Sequence, residues 1–212
     1  MALTDLLTVA VLAFVGSRLV GAARVGLSER GKQRWWAVVR GLRVRHFAVA
    51  IPVLLLVVVA VIALVQVPGL SFGWWTALGG YGNPVVGGTS RTRGTPLATI
   101  VPAVFLLFLV PTLPLFALRE EEVFRAGSEM RTKRERIRWA LKFGLIHAVV
   151  GIPIGAALAL SIGGLYFTRV YLREWRATGS PSAAVLESAR AHTSYNLVIA
   201  TLVIVLLATG SV

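Results

Sequence analysis

Long apolar runs decide what this chain can fold into. The stretches from about Leu3 to Val20, Phe47 to Val67 and Leu97 to Leu118 carry few charged side chains. Each approaches the roughly 20 residues a helix needs to cross the hydrocarbon core. Backbone groups in lipid must bond within their own segment, so such runs read as helices. The 56% hydrophobic content and mean hydropathy of +0.76 agree. We expect an all-α polytopic membrane protein, and 212 residues leave room for about six spans. A single integral domain over 1–212 follows: two helices and a loop over 1–96, then a core over 97–212.

The net charge of +13 raises nucleic acid as a partner, and its distribution argues against it. Arg24, Arg30, Lys32, Arg34, Arg40, Arg43 and Arg45 cluster between the first two runs. That is the bias of a cytoplasmic loop beside anionic lipid. Trp35 and Trp36 suit an interfacial belt there, and His46 reads as a plain interfacial residue. The segment from Pro68 to Thr95 is rich in Gly, with Trp74, Trp75, Tyr81 and Asn83-Pro84, and carries only Arg91 and Arg93. It reads as an outer loop with aromatic anchors. The first run lacks the basic start of a signal peptide, and Ser17-Arg18 breaks up a cleavage site, so a retained helix is expected. No lipidation motif is visible.

The stretch from Trp139 to Phe167 admits two readings. As one span it leaves Arg169, Arg173, Arg176 and Arg190 outside, against the charge bias. Gly151-Ile152-Pro153-Ile154-Gly155 can instead break the helix. A short helix to about Val150, a turn, and a return helix from Ile154 to Leu172 put those arginines in the cytoplasm. The broken hairpin is the preferred reading. It is followed by a polar, interfacial segment from Arg173 to Arg190 and a last helix from Ala191 to Ala208.

Ionisable groups in or beside an apolar span are costly and usually functional. Three sets stand out. Glu120-Glu121-Glu122 precedes Arg125 at the end of the third run; Phe143 precedes His147 by one turn; His192 precedes Asn196 by one turn. Residues four apart share a helix face, so Glu121 pairs with Arg125 and each set offers two side chains to one point. Glu120 is the candidate acid–base group, because a carboxylate shielded from bulk water suits general-base work near neutral pH. An imidazole can orient water, and an imidazole or amide can stabilise an oxyanion. Brought together, these groups would make a workable peptide hydrolase without metal or covalent intermediate. The chain has no cysteine, a single aspartate (Asp5) and no HExxH. Ala126-Gly127-Ser128-Glu129 is not a nucleophile elbow.

The order EExxxR, FxxxH, HxxxN resembles the CPBP group of intramembrane proteases, which includes the type II CAAX prenyl endopeptidases. The resemblance covers the second half of the chain. It implies a glutamate-dependent endopeptidase in a helical membrane fold, without a metal or other cofactor. Glu120 would be the catalytic glutamate, His147 its partner in activating water, and His192 with Asn196 the oxyanion site. Glu121 and Arg125 would support them, and Phe143 would line the site. The chain departs from the family pattern in having Phe124-Arg125-Ala126-Gly127 for FRG, three consecutive glutamates and Tyr195 before the asparagine. The implied partner is a membrane-associated protein or peptide. The expected location is a bacterial plasma membrane with the site toward the cytoplasm. Two other readings stand beside it: a catalytically silent membrane scaffold or immunity protein, and a small transporter or metal-handling protein.

Overall fold

The computed structural model describes residues 3–77 and 94–209. Eight α-helices follow in order: α1 (Leu3–Leu27), α2 (Glu29–Val39), α3 (Val44–Leu64), α4 (Trp74–Ala77), α5 (Leu97–Phe124), α6 (Lys133–Ile146), α7 (Ile154–Thr178) and α8 (Pro181–Ala208). Short 3-10 turns lie at Ser128–Met130 and His147–Val150. Among the described residues there is no strand. Helices α1, α3, α5, α7 and α8 are long and apolar enough to cross a bilayer. The protein is an all-α polytopic bundle.

Small side chains put α7 at the centre. Gly155, Ala157, Ala159, Ser161, Gly163 and Gly164 are buried along it. Residues of this size let helix backbones approach closely where lipid supplies no hydrophobic drive. Helix α6 packs most extensively on this seam. A Cβ on Gly144 of α6 would collide with the Ala157 carbonyl and Ser161, and one on Gly164 would press on Ala140 and Phe143. Helix α1 is the opposite case: none of its apolar stretch is buried, and its main neighbours are α2 and α5.

The expected break is present. Helix α6 ends at Ile146, a 3-10 turn follows, and Gly151 takes a left-handed φ of 92°. That conformation suits glycine because it has no Cβ. Pro153 then stands at the N-cap of α7. The loop after α3 satisfies the exposed backbone. Ile154 N–H donates to the Phe72 carbonyl (2.9 Å) and Gly155 N–H to the Leu70 carbonyl (2.7 Å). Trp74 Nε1 donates to the Ala148 carbonyl at 3.1 Å. Free N–H groups at a helix start need such partners, most of all in lipid. Helix α6 is too short and too charged to count as a span alone. With the 3-10 turn it runs from the arginine-rich segment over 131–138 to this loop, and it is not among the five helices apolar enough to span.

Four expectations change. The third helix continues through Glu120–Glu122 to Phe124 rather than stopping at Leu118. The last helix starts at Pro181 rather than Ala191, so the segment from Arg173 to Arg190 is the helical end of α7 and start of α8, joined at Gly179-Ser180. The basic loop contains a helix, α2, capped by Ser28, whose Oγ accepts from Gly31 N–H. Trp75 is buried and Trp74 is bonded into the turn, so neither is a free anchor. The remainder of that loop, with Tyr81, Asn83-Pro84, Arg91 and Arg93, lies outside the described residues.

His46 is also more than interfacial. It is 4% exposed. Its Nδ1 accepts from the Arg43 backbone N–H, so the hydrogen sits on Nε2, which donates to Glu187 at 3.0 Å. Arg45 and Arg190 complete this carboxylate's partners. The network ties α3 to α8.

Two outcomes follow. Gly144→Val should drive its side chain into α7 and cost about 1–3 kcal/mol of stability; a denaturation midpoint in detergent equal to the parent's would refute the close seam. The charged first turn of α6, outside the apolar crossing, carries a reciprocal cap. Glu135 accepts from the Thr132 N–H and hydroxyl (2.7 and 2.9 Å), and Thr132 accepts from the Glu135 N–H. The bond from the Thr132 backbone, then that from its hydroxyl, holds the Glu135 carboxyl below its ordinary 4.5. A lowered folded-state pKa means the cap contributes above the unfolded value and is lost as pH falls through the folded one. Amide protection over 133–136 should therefore fall selectively below pH 4.5, and Glu135→Gln should abolish that dependence.

Candidate active site

Consecutive residues on a helix are turned by about 100°, so the three glutamates of α5 face three ways. Glu122 points to α2 and pairs with Arg34, with Arg119 nearby at 3.6 Å. Glu121 points inward and is fully buried. Glu120 faces a cavity and its side chain remains 36% exposed. Geometry separates the three: Glu121 is the buried acid and Glu120 the one that opens to the cavity.

A buried carboxylate persists only when charge and hydrogen bonds replace its water. Glu121 has three partners. Arg125 Nε, one turn on, is 3.4 Å away. Ser188 Oγ of α8 donates at 2.5 Å. His192 Nδ1 lies at 2.9 Å. A carboxylate can only accept, so this Nδ1 carries a hydrogen and Nε2 is turned the other way. There it stands 3.7 Å from Glu120 Oε2. The imidazole thus sits between two carboxylates.

Aromatic rings fix this cluster. Phe167 stacks on His192 with centroids 4.2 Å apart and planes at 21°. Phe143 meets His147 at 5.2 Å and His192 at 5.5 Å, both edge-on. The Arg125 guanidinium lies 4.2 Å from the Phe143 centroid, and one of its amino groups donates to the Gly164 carbonyl. A desolvated arginine over a ring gains cation–π attraction, which offsets its lack of further acceptors. Phe143 therefore supports the site from behind and stays out of the cavity lining.

His147 caps α6, and its Nδ1 lies 2.8 Å from the Phe143 carbonyl. A carbonyl accepts, so Nδ1 carries the hydrogen and Nε2 is left for the cavity. Asn196 of α8 lines the same cavity one turn beyond His192. The space measures about 490 Å³ and runs along α5 from Phe105 to Glu120, roughly 22 Å at 1.5 Å per residue. It is much larger than a single water molecule needs. Among the four catalytic candidates, Glu120, His147 and Asn196 face it, and His192 stands behind Glu120, only 3% exposed.

Sequence reasoning missed four residues around the site. Ser188 is one turn before His192, and the 188, 192, 196 spacing was its signal. Arg18, on the cavity wall, was visible as a charge inside the first apolar run. Phe167 and Gly164 of α7 had no local signal. Among the described residues, no three His, Cys, Asp or Glu side chains converge as a metal site. No protein-family model, curated protein or solved structure matches the chain.

Arg125→Met should leave Glu121 buried without its cation and destabilise the fold by about 3–5 kcal/mol. Adding Glu121→Gln should restore much of that loss. Chemical denaturation of both variants in detergent measures it, and a double variant as unstable as Arg125→Met would disprove the pairing.

Proposed function

We propose that this protein is a glutamate-dependent intramembrane endopeptidase of the CPBP kind, hydrolysing a peptide bond in a membrane-associated protein or peptide without a metal or cofactor. The observation that carries this reading is one cavity bounded by Glu120, His147 and Asn196, with His192 3.7 Å behind the glutamate. Four polar groups from α5, the end of α6 and α8 come together beside a cavity with mostly apolar walls, where such groups are retained for a task.

The chemistry is general acid–base catalysis. Water held between Glu120 and the His147 Nε2 gives a proton to the Glu120 carboxylate and its oxygen adds to the scissile carbonyl carbon. The carbonyl oxygen becomes an oxyanion. The Asn196 amide, on the cavity wall, donates to it, while His192, buried behind Glu120, faces that carboxyl group. The tetrahedral intermediate then collapses, the C–N bond breaks, and Glu120 returns its proton to the leaving amine. Products are a carboxylic acid and an amine, with Glu120 ionised again; the new acid then gives its proton to the amine or to bulk water.

The elongated cavity suits an extended segment of substrate lying along α5, with the scissile bond at its Glu120 end. Charge bias makes the arginine-rich face, and with it this end, cytoplasmic. A bacterial plasma membrane is the setting this reading implies.

Glu120→Gln tests it. This side chain is partly exposed and holds no close hydrogen bond, so the variant should fold as the parent does. Cleavage should fall about 10²–10⁴-fold, and Asn196→Ala should cost about 10²–10³-fold. Membranes bearing either the parent chain or Glu120→Gln are compared by N-terminal proteomics. Fragments made equally by both would end the proposal. A cellular effect preserved in Glu120→Gln, with no fragments from either, would identify a silent scaffold instead.

A further inference from the structure

Arg18 lies midway along the apolar stretch Val9–Leu27 of α1. It is exposed and, among the described residues, has no ion-pair or hydrogen-bonding partner. A cation placed there without a counter-charge is strongly disfavoured and marks a functional position. It borders the Glu120 cavity on one side. On its other side is a second cavity, also about 490 Å³, between α1, α2 and α5.

Three arginines line this second cavity: Arg18, Arg34 of α2 and Arg119 of α5. Glu122 is the carboxylate beside them. It pairs with Arg34 and stands 3.6 Å from Arg119, which is itself 71% exposed. The group keeps a surplus of two positive charges. Its walls are apolar, and at Gly21 even a Cβ would meet open space. Because α1 buries none of its apolar stretch, the groove opens to lipid. Surplus positive charge at the head and apolar walls open to lipid describe one class of ligand.

We propose that this groove binds an anionic phospholipid, its phosphate held by Arg18 and Arg119 and its acyl chains lying against the α1–α5 surface. Arginine matches phosphate geometry with paired N–H donors. Charge selects the lipid: a zwitterionic headgroup carries its own cation and gains less from the surplus. The bound phosphate bridges α1 to α5 and supplies the attachment that buried apolar side chains do not. Since α1 is also a wall of the Glu120 cavity, the lipid sets where that wall stands.

The test uses the full-length protein in vesicles of phosphatidylcholine with and without phosphatidylglycerol. Lipid retained after detergent extraction is counted by native mass spectrometry. The parent should retain phosphatidylglycerol in preference. Arg18→Gln and Arg119→Gln should each lower that preference about fivefold, the factor one arginine contributes near an anionic surface. Arg30→Gln, an exposed arginine of α2 away from the groove, should leave it unchanged. An equal drop with Arg30→Gln would reduce the effect to general surface charge and overturn the proposal. So would displacement of the lipid by excess inorganic phosphate, or unaltered retention in Arg18→Gln. Loss of peptide binding alone in that variant would instead assign Arg18 to a substrate carboxylate. If Arg18→Gln does not fold, Arg119→Gln, on an exposed side chain, decides alone.

Discussion

The buried carboxylate of Glu121 is the constraint on which the rest of the site depends. An ionised group with no contact with water needs its charge and lone pairs answered from within the protein. Arg125 answers from the same helix, and Ser188 and His192 answer from α8. These bonds fix the rotation of α5 relative to α8. With Glu121 turned inward, the helical step turns Glu120 to the cavity and Glu122 to α2. The same bond to His192 Nδ1 aims Nε2 at Glu120. One buried charge therefore orients an acid, an imidazole and the helix interface together.

The second requirement is backbone satisfaction at the break. A hairpin that turns inside a membrane protein exposes amides and carbonyls that lipid cannot serve. Here the loop after α3 supplies carbonyl acceptors at Leu70 and Phe72 and an indole donor at Trp74. The break lets His147 sit at the end of α6, with its ring turned back on the Phe143 carbonyl. A continuous helix would carry the chain onward and separate His147 from α8. The small residues of α7 then allow α6 to lie close enough for Phe143 to touch both histidines.

Local rules made several features legible in the primary structure. Spacing of four paired Glu121 with Arg125, and Gly151 with Pro153 announced the break. Charge bias selected the hairpin over a single long span. Other features needed long-range contacts. His46 looked like a plain interfacial residue because its partner, Glu187, is 141 positions away. Polar composition from Arg173 to Arg190 suggested an interface, yet α7 and α8 continue through it as helix. Helical propensity and a shared network there outweigh the loss of apolar character. Phe167 and Gly164 had no signature, since being apolar on a membrane helix distinguishes no residue from its neighbours.

By itself the sequence determined the class, the helical segments and the set of polar groups worth watching. Those properties follow from solvent: lipid demands long apolar helices and penalises each charge along them. Which glutamate is buried, which faces the cavity, and which nitrogen of each histidine is free were decided only by tertiary structure. Such choices depend on the rotation of one helix against another. Rotation is set by side chains meeting across the bundle, and no single helix's pattern contains it.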